Sequence, residues 1–108
     1  MRRAEVEHRE FISTDGIETV SVTVKEPALI EQHQHDISHL TVVVAGSMIP
    51  IVDKQQLPKL SAGDHMVVEA HKTHCFWTLE PNTKFLCITN TLGNLVHADK
   101  HRVLSLKE

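Results

Sequence analysis

Apolar and polar residues alternate with a period of two in several short segments of the chain. In residues 18–24 the alternation is regular from residue 19 onward, with valine at every second position, which is typical of a half-buried β-strand. The same reasoning predicts further strands at residues 28–35, 40–45, 65–68, 74–79 and 84–90. Weaker patterns predict an edge strand or arm at 4–12, a short strand or loop at 55–60, and a short strand near residues 103–104.

Turn-forming residues separate these segments about every ten residues. Asp15-Gly16 is the clearest turn, because this dipeptide readily supplies the positive φ angles that a tight turn needs. The apolar segment 47–53 contains Pro50, which cannot donate a ladder hydrogen bond, so we expect an edge strand or a bulge there. No helical period of useful length is present. The chain is therefore predicted to be an all-β sandwich or barrel, with residues 1–108 forming a single domain.

Composition and charge narrow the function classes. The chain has 108 residues, a net charge of −3, three Phe, one Trp and no Tyr, so we expect no nucleic-acid partner. No apolar segment approaches the roughly 20 residues that a membrane span requires, and the first residues do not resemble a secretory signal. We therefore expect a cytoplasmic protein without a membrane partner. Cys75 and Cys87 lie in apolar segments and are expected to be free thiols, with Cys75 unreactive.

Three histidines follow the spacing H-x-H-x3-H, at His33, His35 and His39. In an extended segment, side chains two residues apart point to the same side, so His33 and His35 could bind one metal ion together. Asp36 and Ser38 favour a turn, which would bring His39 back to the same point. This segment is the strongest candidate for a metal site.

The same segment resembles the first sequence motif of the cupins, which has H-x-H, a carboxylate after three or four residues, and a glycine six residues later. Gly46 occupies the glycine position, but His39 replaces the usual Glu, and Pro27 stands at the position of the leading glycine. The second cupin motif is similar in register to the segment from Gly63 to Thr78, which includes His74. There Glu69, His71 and Thr78 replace its proline, glycine and asparagine.

This resemblance implies a double-stranded β-helix, also called a cupin or jelly-roll barrel. It adds His74 to the predicted metal ligands, which become His33, His35, His39 and His74. Four neutral imidazoles suit one divalent transition metal per chain, namely Fe, Ni, Zn, Mn or Cu, rather than Mg or Ca. Four ligands could close a tetrahedral structural site, whereas an octahedral metal would keep two positions open.

Residues near these histidines are candidates for a substrate pocket. Glu31 could be a catalytic base or a solvated carboxylate at a strand end. The residues expected to share a face with His39 or His74 are either pocket walls or plain core: Thr41, Val43, Phe76 and Thr78. Cys75 and Trp77 should point to the other face. The remaining histidines are expected at the surface or the rim: His8, His65, His71, His97 and His101.

Two classes of function follow. One is a metal-dependent, dioxygenase-like enzyme acting on a small chelating molecule, with isomerase or lyase chemistry as a variant. The other is a non-catalytic cupin that binds a metal or small ligand in a sensor, storage or assembly role. Outward apolar positions such as Leu40, Val42 and Val44, together with the resemblance, predict a homodimer.

Overall fold

The structure is a computed structural model that describes residues 7–33 and 38–90, apart from the side chains of residues 31–33 and 90. The described residues form ten β-strands. Their bounds are β1 Glu7–Thr14, β2 Ile17–Val24, β3 Leu29–His33, β4 His39–Ala45, β5 Ser47–Val52, β6 Gln55–Gln56, β7 Leu60–Ser61, β8 His65–Val68, β9 His74–Thr78 and β10 Thr83–Asn90. The strand predicted near residues 103–104 lies outside the described residues.

The strands form two antiparallel sheets. The first sheet has the order β1-β2-β10-β4-β8, and the second has the order β3-β9-β5-β6, with β7 also paired to β5. The sheets pack against each other as a jelly-roll sandwich, so the all-β prediction and the predicted fold are confirmed. Strands that are neighbours within a sheet are mostly distant in sequence. As a result, β4, which begins at His39, and β9, which begins at His74, lie in the two facing sheets of one sandwich.

The inner face of the first sheet follows the valine alternation of β2. Val20, Val22 and Val24 are buried in the core, and their cross-strand neighbours on β10 include Phe85, which is also buried. Burial of alternate residues on one face is what the period-two pattern predicts. The aromatic ring of Phe85 contacts Phe76 from the second sheet, with ring centroids 5.1 Å apart, so the two sheets share one core.

The hairpins show where the sequence was informative about turns. Asp15 and Gly16 have φ angles of 44° and 84°, and they join β1 to β2 as predicted, with β1 at the edge of the sheet. The β5–β6 hairpin turns at Asp53 and Lys54, with φ angles of 49° and 68°. Neither residue is glycine, and the Asp53 carboxylate accepts hydrogen bonds from the backbone N–H and hydroxyl of Thr73.

Pro50 was predicted to mark an edge strand or a bulge, and the prediction of an edge strand was wrong. β5 lies inside its sheet, paired with β9 on one side and with β6 and β7 on the other. β7 pairs with Ser47 and Met48, and β6 pairs with Ile51 and Val52. Pro50 falls between these two partners, so its missing N–H interrupts no ladder.

β3 departs from the simple alternation predicted for residues 28–35. Ile30 pairs with Phe76, but His33 pairs with His74, and the register shifts between Ile30 and His33. A regular antiparallel ladder would have opposed residue 32 to His74, so β3 contains one extra residue. A shift of one residue exchanges the two faces of a strand, and alternation counted from Ile30 therefore does not carry through to His33.

Two further predictions concern the membrane and the thiols. Among residues 7–33 and 38–90, the structure contains no helix long and apolar enough to cross a membrane. Cys75 and Cys87 are free, and burial raises the pKa of the Cys75 thiol.

Candidate metal centre

His39 and His74 meet inside the sandwich, although they come from different sheets. His39 begins β4 in the first sheet, and His74 begins β9 in the second. Their side chains are 4% and 1% exposed, and their ring centroids lie 5.4 Å apart with an interplanar angle of 59°. The structure thus brings together one histidine from each of the two sequence motifs.

The spacing of the two rings fits shared coordination of a metal. Zinc–nitrogen bonds are about 2.1 Å long, which places the centroids of two imidazoles on one tetrahedral ion roughly 5 Å apart. Both ring nitrogens of His74 and Nε2 of His39 are shielded from solvent. Phe76 packs against His74, with centroids 5.6 Å apart, and restricts the orientation of its ring. The pair therefore lies in an enclosed position beside Phe76.

The other predicted ligands are less fully described. The backbone of His33 pairs with His74, which brings β3 beside the two rings. His35 lies outside the described residues, and so do the side chains of His33 and Glu31. Within the described part of the chain, no group of three His, Cys, Asp or Glu residues is placed to hold a metal. The four-histidine site and the role of Glu31 therefore remain predictions.

The four residues proposed as pocket walls all lie on the inner face. Thr41 and Val43 follow His39 along β4, and Phe76 and Thr78 follow His74 along β9, each 0% or 1% exposed. The Thr78 hydroxyl donates to the carbonyl of Ala28 and accepts from its N–H, at 3.1 and 2.9 Å. This hydroxyl therefore joins β9 by hydrogen bonds to Ala28, the residue just before β3.

Thr41 has a different neighbour. Its hydroxyl oxygen lies 3.6 Å from the Cys87 sulfur on β10. Cys87 is only partly buried, whereas Cys75 on β9 is buried and Trp77 is exposed. The prediction that Cys75 and Trp77 share the outer face agrees with their pairing opposite Ile51 and Ile49.

Sequence reasoning missed a buried carboxylate, Glu18, which is 6% exposed. It pairs with Thr89 on β10, and His39 on β4 is the next position of the same cross-strand row, one step beyond the Ile88–Leu40 pair. The Thr89 hydroxyl donates to the carbonyl of Ser38, the residue before His39. A signal was present in the sequence, since Glu18 lies in phase with Val20 and therefore on the buried side of β2.

A groove of about 360 Å³ follows the seam between the two sheets, where β6 and β8 are the edge strands. Its walls include Val52, which pairs with His74, and Met66, which pairs with Thr41. Asp53, Glu69 and Lys72 make its rim polar. The volume is within the range of small-molecule sites, roughly 300 to 1,000 Å³. None of the four predicted wall residues lines this groove.

The histidines predicted at the surface divide into two groups. His8, His65 and His71 are exposed as predicted, and His71 lies in a turn with a φ angle of 69°. His97 and His101 lie outside the described residues. Sequence reasoning thus separated the buried histidines from the exposed ones wherever both can be compared.

Comparison with solved structures gives many proteins of the same fold. KdgF from Halomonas sp. aligns with a TM-score of 0.70 and 23% identity, covering 82% of this chain and 81% of that protein. An RmlC-like cupin from Shewanella frigidimarina aligns with a TM-score of 0.66 and 21% identity over 78% of this chain and 76% of its own. The DMSP lyase of Ruegeria pomeroyi aligns with a TM-score of 0.72 and 15% identity over 82% of this chain and 48% of its own.

These similarities show that the chain has the cupin fold. Neither a protein-family model nor a curated protein matches the sequence. The fold alone does not determine an activity, because one fold can carry unrelated sites. Function must therefore be argued from the residues inside the sandwich.

Proposed function

We propose that this protein is a metal-binding cupin that acts on a small chelating molecule through dioxygenase-like chemistry. The observation that carries the proposal is the meeting of His39 and His74 from opposite sheets at 5.4 Å. The proposed ligands are His33, His35, His39 and His74, with one divalent transition metal per chain. An imidazole set of this kind suits Fe, Ni, Zn, Mn or Cu.

A metal bound there would supply Lewis-acid polarisation and a template for the substrate. Four imidazoles are neutral, so a substrate with two anionic or enolisable oxygens would provide the negative charge that the ligands lack. The inner-face residues Val43 and Phe76 would offer an apolar boundary. Glu31 is the proposed base, provided that it lies within hydrogen-bond reach of the substrate.

Metal analysis of protein purified without added metal tests the site directly. We expect near one equivalent of a transition metal per chain in the wild type and a loss of most of it in both His39→Ala and His74→Ala. His8→Ala removes an exposed imidazole from β1 and should leave the metal content unchanged. Equal metal content in all four proteins would reject the site.

The reaction is tested after reconstitution with Fe(II), Ni(II), Mn(II) or Zn(II). Enolisable diketones and related chelators are offered, and oxygen consumption is followed together with product formation. Turnover that depends on metal and is lost in His74→Ala supports the dioxygenase-like proposal. Metal binding at full occupancy without turnover of any compound supports the non-catalytic alternative, a sensor, storage or assembly role.

Lyase or isomerase chemistry is the second enzymatic candidate. A specific observation favours it, namely the buried carboxylate of Glu18 on the row of His39. A carboxylate enclosed beside a substrate can take a proton from carbon without needing oxygen. The lyase among the similar structures has the same fold, and product formation that continues in the absence of oxygen would favour this class.

We also propose that the working unit is a homodimer. Val44 is 47% exposed, and Leu40 and Val42 of the same strand are only partly buried. An apolar surface of this kind is typical of an interface. Light scattering should give about twice the chain mass of 12.2 kDa, and a mass near the single-chain value would reject the dimer.

A further inference from the structure

The outer face of the first sheet carries a row that crosses all five strands, with apolar residues at every position except Thr19 on β2. Its members pair successively from β1 to β8: Ile12, Thr19, Ile88, Leu40 and Val67. Ile12 and Val67 are 54% and 58% exposed. An outer sheet face in water normally carries polar side chains, so this row indicates that another surface covers it.

The neighbouring row is apolar in the middle and charged or polar at its ends. It runs Glu10, Ser21, Leu86, Val42 and His65. Glu10 and His65 are both exposed, and they lie at opposite edges of the sheet, four strand spacings apart, or about 19 Å. They are too distant to interact within one chain. Glu10 also lies 3.8 Å from the imidazole of His8 on its own strand, but its side chain stays 63% exposed. Both Glu10 and His65 can therefore contact a partner that lies over this face.

We propose that a second copy of the chain covers this face. The first sheets of the two copies would pack face to face, with the two-fold axis lying between them and running parallel to β10. Such an axis places β1 over β8 of the second copy and β10 over β10 of the second copy. Each cross-strand row then lies over the same row of the second copy, with the strand order reversed. Glu10 then faces His65 of the second copy, twice per dimer. Ile12 faces Val67, while Leu86 and Ile88 each face their own copies.

The alternative axis, running across the strands, gives a poorer match. Placed along the row of Glu10, it opposes Glu10 to Glu10 and His65 to His65. It also exchanges the rows on either side of that row. Ile88, two residues after Leu86 on β10, would then face Lys84, which lies two residues before Leu86 on the same outer face. Like charges that face each other destabilise an interface. The axis along β10 is therefore the one that places carboxylate opposite imidazole and Ile12 opposite Val67.

The face is also large enough for a stable dimer. Five strands at about 4.8 Å spacing, of which three have eight residues, β4 has seven and β8 has four, give a flat footprint of at most roughly 24 by 26 Å. This is about 600 Å² before side-chain relief is added, close to the roughly 800 Å² per partner of a standard interface. The second sheet also exposes Leu29 and Trp77 on its outer face, but the row that Leu29, Trp77 and Ile49 form carries no opposite charges.

This inference rests on the homodimer proposed above and is independent of the metal and of any reaction. The experiment compares the wild type with Glu10→Lys, His65→Glu and an equimolar mixture of the two variants, each measured by light scattering at micromolar concentration. Glu26→Lys, an exposed residue in the bend after β2, is the matched control for the charge change. Circular dichroism checks that every variant is folded.

We expect the wild type and Glu26→Lys to be dimers, and each interface variant alone to dissociate at least tenfold more readily. In Glu10→Lys, the introduced lysine faces His65, and in His65→Glu, two carboxylates face each other. The mixture should regain dimers, because a heterodimer places the introduced lysine opposite the introduced glutamate at one edge and keeps the original pair at the other.

Each failure has a separate meaning. A monomeric wild type would reject the homodimer itself, and with it this interface. A wild-type dimer whose mass and affinity are unchanged by Glu10→Lys and His65→Glu would leave the homodimer standing and overturn the assignment of this face. Dissociation of both variants without recovery in the mixture would overturn the axis along β10.

Discussion

At the residue scale, the least expected feature is the carboxylate of Glu18 inside the sandwich. Burying a charge is costly unless something compensates it. A divalent cation held by neutral imidazoles retains its full charge, and a negative charge on the row of His39 would lower the energy of that cation. We therefore expect the Glu18 carboxylate to stabilise a metal ion bound at the proposed centre.

Glu18→Gln should weaken metal binding about tenfold or more, the range seen when groups supporting metal ligands are altered. Titration calorimetry of the metal-free protein measures the affinity. Glu26→Gln makes the same chemical change at an exposed position and should have no effect. Equal affinities for Glu18→Gln and the wild type would show that the carboxylate does not act on the metal.

Two glycines with positive φ give a second prediction. Gly46 has φ +78°, and a Cβ there would lie 2.9 Å from the Cα of Thr83, which is fully buried. Gly63 has φ +96° with nothing within 4 Å. Gly63→Ala should cost only the left-handed backbone penalty, about 1 kcal/mol, whereas Gly46→Ala adds overpacking of about 1–3 kcal/mol. Urea unfolding measures both, and equal losses would contradict the close approach.

How much of the site could be predicted from sequence differs from residue to residue. The motif spacing predicted His39 and His74 as partners, and the structure places their rings together. Glu18 was missed because a carboxylate at the start of a strand is usually solvated, and only its phase with Val20 pointed inward. The prediction for His33 depended on its spacing to His35, and this pair stays a prediction because His35 and the side chain of His33 lie outside the described residues.

At the element scale, β1 is held by an ion pair that faces inward. Arg9 and Glu7 lie opposite Val22 and Val24 of β2, with their guanidinium and carboxylate 3.2 Å apart and their side chains 8% and 5% exposed. An edge strand has a partner on one side only, so this buried pair adds to the attachment of β1. The period-two pattern predicted the strand, but polar residues gave no indication that its charged side was the inner one.

Arg9→Met should lower the free energy of unfolding by about 2 kcal/mol, since it removes the cationic partner of a largely buried carboxylate. The double variant Arg9→Met, Glu7→Leu should recover most of this loss. Lys72→Met removes the cation of an exposed pair with Glu69 at 3.3 Å and should change stability by less than about 1 kcal/mol. Chemical denaturation measures all three, and similar losses for Arg9→Met and Lys72→Met would contradict the role of the inward pair.

At the scale of the whole molecule, the fold was predictable because strand alternation, turn spacing and histidine spacing all indicated the same barrel. The internal position of β5 was not, since Pro50 reads as an edge signal until β6 and β7 are seen to pair on either side of it. Sequence patterns report one strand at a time, whereas sheet order depends on long-range pairing.

Metal should stabilise the folded molecule in a pH-dependent way. At a free metal concentration about 100 times the Kd, the gain is about 2.7 kcal/mol, which corresponds to roughly 10 °C or more in Tm for a domain of this size. Ligating imidazoles must be neutral, and their ordinary pKa is about 6.5, so the gain should be full near pH ~7.5 and largely lost near pH ~5. Thermal unfolding with and without metal at both pH values measures it. The same gain in Tm at both pH values would contradict coordination by histidine.

The placement of His39 and His74 on different sheets has a kinetic consequence. An ion bound by both would connect the two halves of the sandwich, and neither ring is open to solvent. Release of the ion would then require the sheets to separate transiently at that end. The rate of metal exchange should accordingly level off at high chelator concentration, at a value set by how often the sandwich opens.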